Sequence, residues 1–331
     1  MFLGIEIGGT KLQLGIGDGV TATLAALERR DIDRTKGAQG ILAQIAEAAK
    51  PLIEKYSPQC VGFGFGGPVD SVSGTIRKSH QVAGWDGFPM VKWVSDQLGL
   101  PAKLGNDCDV AALAEYRFGA GSGARNVFYV TVGTGVGGGC VADGKLLGAG
   151  RPSIAEIGHL RPGLDCKDSH ATVESIAAGP GIAEYARQVV DLASKQDLPF
   201  SYQPPNGRAF HVYDNDLRDL QKRGGESLCL LTAAVLGQAA RERNRLAEDL
   251  LDRPIQVLGW AIAQVITLVS PEVVVVGGGV SLLGEELFFT PLRSYVKAYA
   301  FRPMLENYRI APAALGEEAV VHGAIALAAG G

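Results

Sequence analysis

Twice along the chain, two short apolar runs are joined by a turn of glycine and threonine. The first is 2–7, then Gly8-Gly9-Thr10, then 11–16; the second is 126–132, then Gly133-Thr134-Gly135, then 136–141. Apolar runs joined across a glycine-containing turn predict a β-hairpin. Its return about 125 residues later predicts two related halves, each opening with a hairpin and facing the other across a cleft. Between and after the hairpins, strand and helix patterns alternate. Ile41, Ile45, Ala48, Leu52 and Tyr56 share one face at helical spacing within 40–56. Residues 60–65 read as a buried strand running into Gly66-Gly67-Pro68, and Gly105-Asn106-Asp107 precedes a helical stretch at 110–118. Farther on, 226–251 and 254–269 are long helical patterns, the second with Pro254 in its first turn. A β-branched run at 272–276 ends in Gly277-Gly278-Gly279, and 318–329 reads as a closing helix. This alternation predicts an α/β fold. Residues 197–225, with Pro199, Pro204 and Pro205, show little periodicity and predict an irregular extension: a lid, a subunit contact or a flexible insert.

Composition adds one point. The chain has 45 glycines in 331 residues, about twice the usual share. Of these, 18 fall in four windows, 4–19, 62–67, 133–139 and 277–279, so the surplus is local. Without a Cβ, the backbone can approach an anion and aim several N–H groups at it. Thr10 and Thr134 add hydroxyl donors at the two hairpin turns. Neither the GxxxxGK[ST] spacing nor a strand-to-helix GxGxxG occurs there, which disfavours a P-loop or Rossmann nucleotide site.

The formal net charge is -4 and no block of lysine and arginine is present, which argues against nucleic acid and anionic membrane as partners. Five widely separated cysteines (Cys60, Cys108, Cys140, Cys166 and Cys229) suggest reduced thiols rather than a disulfide framework. Met1 leads straight into FLGIEIGG without a basic signal-peptide region, and the most apolar stretch, 258–269, is too short to span a bilayer. The expected location is the cytoplasm.

The ordered motifs resemble the ROK family of sugar kinases, within the actin, hexokinase and Hsp70 fold group. They are GIEIGGTK (4–11), GFGFGGPVDSVSGTI (62–76), GWDGFP (84–89), GNDCDVAALAE (105–115), VTVGTGVGGGCVADGKLLGAG (130–150), AEIGH (155–159), VVVVGGGVS (273–281) and LGEEAVVHGAIALA (315–328). The resemblance implies a two-lobed actin-like ATPase (ribonuclease H-like) α/β fold with a cleft between the lobes. One lobe would be 1–116 with the returning helix 316–331, the other 117–315 with the extension at 197–225. It implies an ATP-dependent hexokinase, glucokinase-like, with Mg²⁺ as the metal and a homodimer as the assembly. Asp107 would orient and deprotonate the attacking sugar hydroxyl; read on its own, the same Asp would cap a helix beginning near Asp109. Asn106, Asp107, Glu156, His159 and Glu174, with the backbone of Gly66 and Gly67, would line the sugar site. Glu156 lies in an apolar context, where a carboxylate is costly unless something binds it. Gly9, Thr10, Lys11, Gly133, Thr134 and Gly135 would hold the phosphates, and Gly278 and Gly279 would lie under the adenosine.

Three positions depart from the family pattern. Glu6 stands where the family usually has Asp, so Mg²⁺ would be held through water. The zinc motif CxCGxxGC is missing: the segment reads HLRPGLDCKDSHATVES, with only Cys166 near His159 and His170, and no structural zinc is expected even if Asp165 or Asp168 is counted. His80-Gln81 replaces a Pro-Asn pair, which leaves the choice of hexose open. The rivals are a family repressor, disfavoured because the first strand starts at residue 2, a sugar sensor without catalysis, and a kinase for fructose or an N-acylated amino sugar.

Overall fold

The computed structural model describes residues 1–79, 81–148, 154–163, 170–205 and 207–330. The first hairpin forms where its sequence predicts. β1 (Phe2–Ile7) pairs antiparallel with β2 (Lys11–Gly17), Ile7 opposite Leu12, and β3 (Leu24–Asp31) extends it antiparallel on the far side of β2. α1 (Gly37–Tyr56) buries Ala38, Ile41, Leu42, Ile45, Ala48 and Ala49 along one stripe, the spacing that its 3.6-residue turn demands. These side chains join those of β4 (Val61–Phe65), a fully buried strand parallel to β1, in one apolar cluster. A small pair, β5 (Val69–Asp70) and β6 (Thr75–Ile76), and α2 (Met90–Leu98) lead to β7 (Ala102–Asn106), which completes a sheet in the order β3-β2-β1-β4-β7. α3 (Asp107–Phe118) follows directly.

The second sheet repeats this topology. β8 (Val127–Val132) and β9 (Val136–Ala142) form the second hairpin, and β10 (Lys145–Leu146) extends it. After a long helical insertion, β13 (Val273–Gly277) and β14 (Arg309–Pro312) add in parallel, giving β10-β9-β8-β13-β14. Position for position the two orders match, so the internal repeat read from the hairpins extends to all five strands.

The insertion contains α4 (Val173–Ala177), α5 (Gly179–Ala193), β11 (Phe200–Tyr202), β12 (Phe210–Val212), α6 (Asp214–Gly224), α7 (Ala233–Arg241) and α8 (Arg245–Val269). Two expectations change here. Residues 197–225 are not irregular: β11 and β12 pair, with Tyr202 stacked near Phe210 and Tyr185, and α6 packs Leu217 and Leu220 inward. Pro254 does not begin a helix, because α8 runs 25 residues through it from an Asn244 cap. A proline removes one helical hydrogen bond; here buried Leu250, Leu251, Ile255 and Leu258 hold the helix across the break. Among the described residues no helix is long and apolar enough to cross a membrane.

α9 (Thr290–Tyr299) packs on α8, and α10 (Ala319–Ala328) closes the chain. α3 and α10 pack against each other between the sheets, α10 on β1 and β4 and α3 on β8 and β9. Glycine allows this close approach: a Cβ on Gly62 would meet Ala324 O at 1.9 Å, and one on Gly139 would meet Cys108 O at 2.3 Å. Part of the glycine surplus therefore admits helices rather than ligand.

Candidate active site

The end of β7 delivers Asn106 and Asp107 to the start of α3. Asn106 Oδ1 accepts from the N–H groups of Cys108 at 2.9 Å and Asp109 at 3.3 Å, and its Nδ2 donates to Gly67 O at 3.1 Å. The helix thus begins at Asp107, two residues earlier than expected, and Asn106 caps it. Asp107 is free of that task. Its Oδ1 accepts from Cys108 N at 2.9 Å, while its Oδ2 faces Gly66, where a Cβ would sit 3.4 Å away. The same Cβ would lie 3.9 Å from Gly8 Cα. Asp107, Gly66 and the first hairpin turn are therefore in one place. Burial pushes the Asp107 carboxyl above its usual range, and the Cys108 N–H pulls the other way.

Within that turn, Gly8 N donates to Lys11 O at 2.9 Å, and Thr10 O accepts from Ile32 N at 2.9 Å. Lys11 Nζ pairs with Glu317 Oε2 at 2.8 Å. Glu6, on the adjoining strand, accepts from Gln13 Nε2 at 2.6 Å, and Gln13 is fully buried and receives Arg29 Nε at 2.8 Å. Burial raises the Glu6 carboxyl to about 7, helped by the neighbouring Asp107 charge and only partly countered by Gln13 and Lys11. A carboxylate that pays this penalty gains from a cation nearby, which suits a water-bridged divalent ion. Among the described residues no three His, Cys, Asp or Glu side chains are grouped to hold a metal. Asp165, Cys166 and Asp168 lie outside the described residues, as does His80.

The second turn is assembled from four segments. Gly133 N donates to Gly135 O at 2.8 Å, Gly179 N at the start of α5 donates to Gly133 O at 2.8 Å, and Val136 N donates to Glu174 Oε2 at 2.8 Å. Thr134 sits at the tip. Gly278 has φ +88°, and a Cβ there would meet Val132 O at 2.5 Å, a left-handed and crowded position that only glycine accepts. A Cβ on Gly133 would lie 3.7 Å from Gly279 N, whereas one on Gly279 would meet nothing within 4 Å. Gly133, Gly135, Gly179, Gly278 and Gly279 thus form one backbone floor. Gly179 escaped the sequence reading; its Gly-Pro-Gly run at a helix start was the available signal.

Glu156 and His159 flank the short 3₁₀ turn Ile157–His159, with His159 Nδ1 3.8 Å from Glu156 Oε2. Both are open to solvent, so Glu156 bears none of the burial cost its apolar sequence context suggested. Glu156 shares a cavity of about 510 Å³ with Asn106 and Asp109. Asp109 was not singled out from sequence, yet among the described residues its Oδ1 is buried without a hydrogen-bond partner, and burial with the charges of Asp107 and Glu156 raises it to about 7. Glu174 stands at the second turn, outside that cavity's lining.

Residues 2–330 match the sequence profile of the ROK family. The chain belongs to the ROK family. The glucokinase of Halalkalibacterium halodurans is 29% identical over 97% of this chain and 93% of its own length. A ROK family glucokinase from Streptomyces griseus, solved with glucose and AMPPNP, aligns with a TM-score of 0.77 and 29% identity over 100% of this chain and 99% of its own. The ROK hexokinase of Thermus thermophilus aligns with a TM-score of 0.77 and 27% identity over 99% and 97%. Like these ROK proteins, the chain has the actin-like ATPase form of the α/β class, carried by the two five-stranded sheets.

Proposed function

We propose that this ROK protein is an ATP-dependent hexose kinase that transfers the γ-phosphoryl group of ATP to the 6-hydroxyl of a hexose, glucose first. The observation that supports this reading is the position of Asp107 Oδ2 against Gly66 and the Gly8-Gly9 turn, a carboxylate beside a backbone that a phosphate could approach. Asn106, Glu156 and His159, with the Gly66 and Gly67 backbone, hold the sugar hydroxyls, and Glu174 braces the second turn near them. Gly9, Thr10, Lys11, Gly133, Thr134 and Gly135 hold phosphates, and Gly278 and Gly279 lie under the adenosine.

In the reaction the sugar oxygen forms a bond to phosphorus as the bond from the γ-phosphorus to the bridging oxygen of ADP breaks. The hydroxyl proton passes to Asp107, which later returns it to solvent. A raised carboxyl is a stronger base than an ordinary aspartate, and positioning it supplies much of the rate in a loose phosphoryl-transfer transition state. Mg²⁺ arriving with ATP would neutralise phosphate charge, and Glu6 would be the residue to hold it, through water. Closure of the lobes 1–116 with 316–331 and 117–315 around sugar keeps water from competing as acceptor. The unit is read as a cytoplasmic homodimer without structural zinc.

Coupled ADP release over glucose, fructose and N-acylated amino sugars tests the reaction. Sugar-dependent turnover with glucose is expected. Turnover with another panel member alone would move the acceptor, and sugar binding without turnover would establish the sensor reading that Glu6 suggests.

A further inference from the structure

Phosphoryl transfer spreads negative charge over the equatorial oxygens of the moving group, and a cation placed there is worth more than one engaged elsewhere. Around the first turn the cations differ sharply in what they meet. Lys11 Nζ is held by Glu317 at 2.8 Å, and Arg29 Nη2 by Glu318 at 2.6 Å. Among the described residues Arg34 meets only neutral acceptors: its Nε donates to Gly9 O at 2.6 Å and its Nη2 to Gln81 Oε1 at 3.4 Å. The adjacent Asp33 is turned away, its Oδ1 accepting from Thr35 N at 3.0 Å and Thr35 Oγ1 at 2.6 Å and its Oδ2 lying 3.8 Å from Lys36. Among the described residues, then, no carboxylate pairs with the Arg34 guanidinium.

Its place is as telling as its charge. A Cβ on Gly9 would lie 3.0 Å from Arg34 Nη2, and one on Gly66, beside Gly8, lies 3.4 Å from Asp107 Oδ2. Asp107 and Arg34 thus flank the same two-residue turn, one on the Gly8 side and one on the Gly9 side. A group passing to a hydroxyl held by Asp107 would do so beside that turn.

We propose that Arg34 is a catalytic residue that binds the γ-phosphoryl group in transit, exchanging its long contact with Gln81 for a phosphoryl oxygen while its Nε stays on Gly9 O. This rests on the kinase reading above and adds a residue to it.

The test compares wild type with Arg34→Met, Arg34→Gln and Lys36→Ala, the last a neighbouring cation already beside Asp33. Arg34→Gln can still donate to Gly9 O, so it reports on charge if Arg34→Met does not fold. Both Arg34 variants should lose about 100-fold in kcat, with KM for hexose within about threefold, and Lys36→Ala should keep the wild-type kcat. By calorimetry, both should lose the margin by which wild type binds ATP over ADP. Wild-type hexose phosphorylation with kcat unchanged in both Arg34 variants overturns the role of Arg34 and leaves the kinase standing. An ATP-over-ADP margin that depends on Arg34, in a protein that phosphorylates no hexose, retains Arg34 as a γ-phosphate ligand and sinks the hexose reading.

Discussion

Glu115 and Ala314 lie 199 residues apart in sequence, and Glu115 Oε1 accepts the Ala314 N–H at 2.9 Å. The same oxygen accepts from Leu315 N at 3.0 Å, and Oε2 accepts from Ala120 N at 2.8 Å. One fully buried carboxylate therefore ties the segment leaving α3 for the second sheet to the segment returning from it. Arg309 Nη2, donating to Ala120 O at 2.5 Å, reinforces the same crossing.

Replacing Glu115 with Ala takes the acceptor from three N–H groups, those of half-buried Ala120 and Leu315 and of exposed Ala314, at roughly 1–3 kcal/mol for each group that water cannot reach. The expected loss is about 2 kcal/mol, mostly from the two half-buried groups, read as a lower urea midpoint. Glu115→Gln should fall between, since its amide oxygen keeps the Ala314 side while its NH₂ opposes the Ala120 N–H. Equal stability of Glu115→Ala and wild type would show that the crossing is held by other contacts.

Asp107 and Asn106 are neighbours with separable tasks. Because Asn106 caps α3 and burial already disfavours the charged carboxylate at 107, Asp107→Asn should not lower the unfolding midpoint at neutral pH, while lowering kcat by about 100-fold or more, the usual worth of a positioned general base. Asn106→Ala should instead cost about 1 kcal/mol of stability through the lost cap, in addition to any change in sugar KM. Near wild-type turnover in Asp107→Asn would remove Asp107 from the chemistry.

The contrast shows which parts of this protein are legible in its residues. The hairpins were, because an apolar run, a glycine turn and a second apolar run already state the pairing of neighbours. The family resemblance implied that Asp107 and Gly66 share the sugar site, and the fold brings both beside the first turn. The hairpin β11 and β12 was not legible, because Pro199, Pro204 and Pro205 interrupt the alternation that marks a strand, while the stacking of Tyr202 and Phe210 that stabilises it is tertiary. The meaning of Gly62 and Gly139 was ambiguous for a deeper reason: an absent Cβ is required equally by a ligand and by a helix, and only the fold says which arrives. Arg34 and Asp109 were silent because charge becomes informative once its partners, or their absence, are known.

Glu6 ties stability to pH. Its carboxyl moves from an ordinary 4.5 to about 7 in the folded protein, so the folded state binds the proton more tightly than the unfolded chain does. The stabilisation from that proton is present below about pH 4.5 and is lost as pH rises through about 7. Glu6→Gln, which keeps an acceptor for Gln13 and removes the charge, should therefore gain in melting temperature relative to wild type at pH 8 and lose that advantage at pH 5. A difference independent of pH would mean that Glu6 is not the titrating group.

Activity should answer to acid through Asp107. The carboxylate must be ionised to accept the hydroxyl proton, and burial raises it above the ordinary 3.8, so kcat/KM should fall at a pH higher than an exposed aspartate would set. Asp107 does not titrate alone. Asp109 is raised to about 7 in part by the charge on Asp107, so Asp107 gives up its proton first and Asp109 only beside a neighbour already charged. Because Asp109 is still protonated when Asp107 ionises, Asp109→Asn is expected to leave the acid limb in place, whereas Asp107→Asn should let Asp109 ionise at lower pH. The orphaned Oδ1 of Asp109 makes the substitution mild, because no existing hydrogen bond at that atom is broken. A pH–rate profile of wild type and Asp109→Asn, taken at saturating ATP, reads the limb directly; a limb that moves to lower pH in the variant would show that Asp109 is charged while Asp107 titrates.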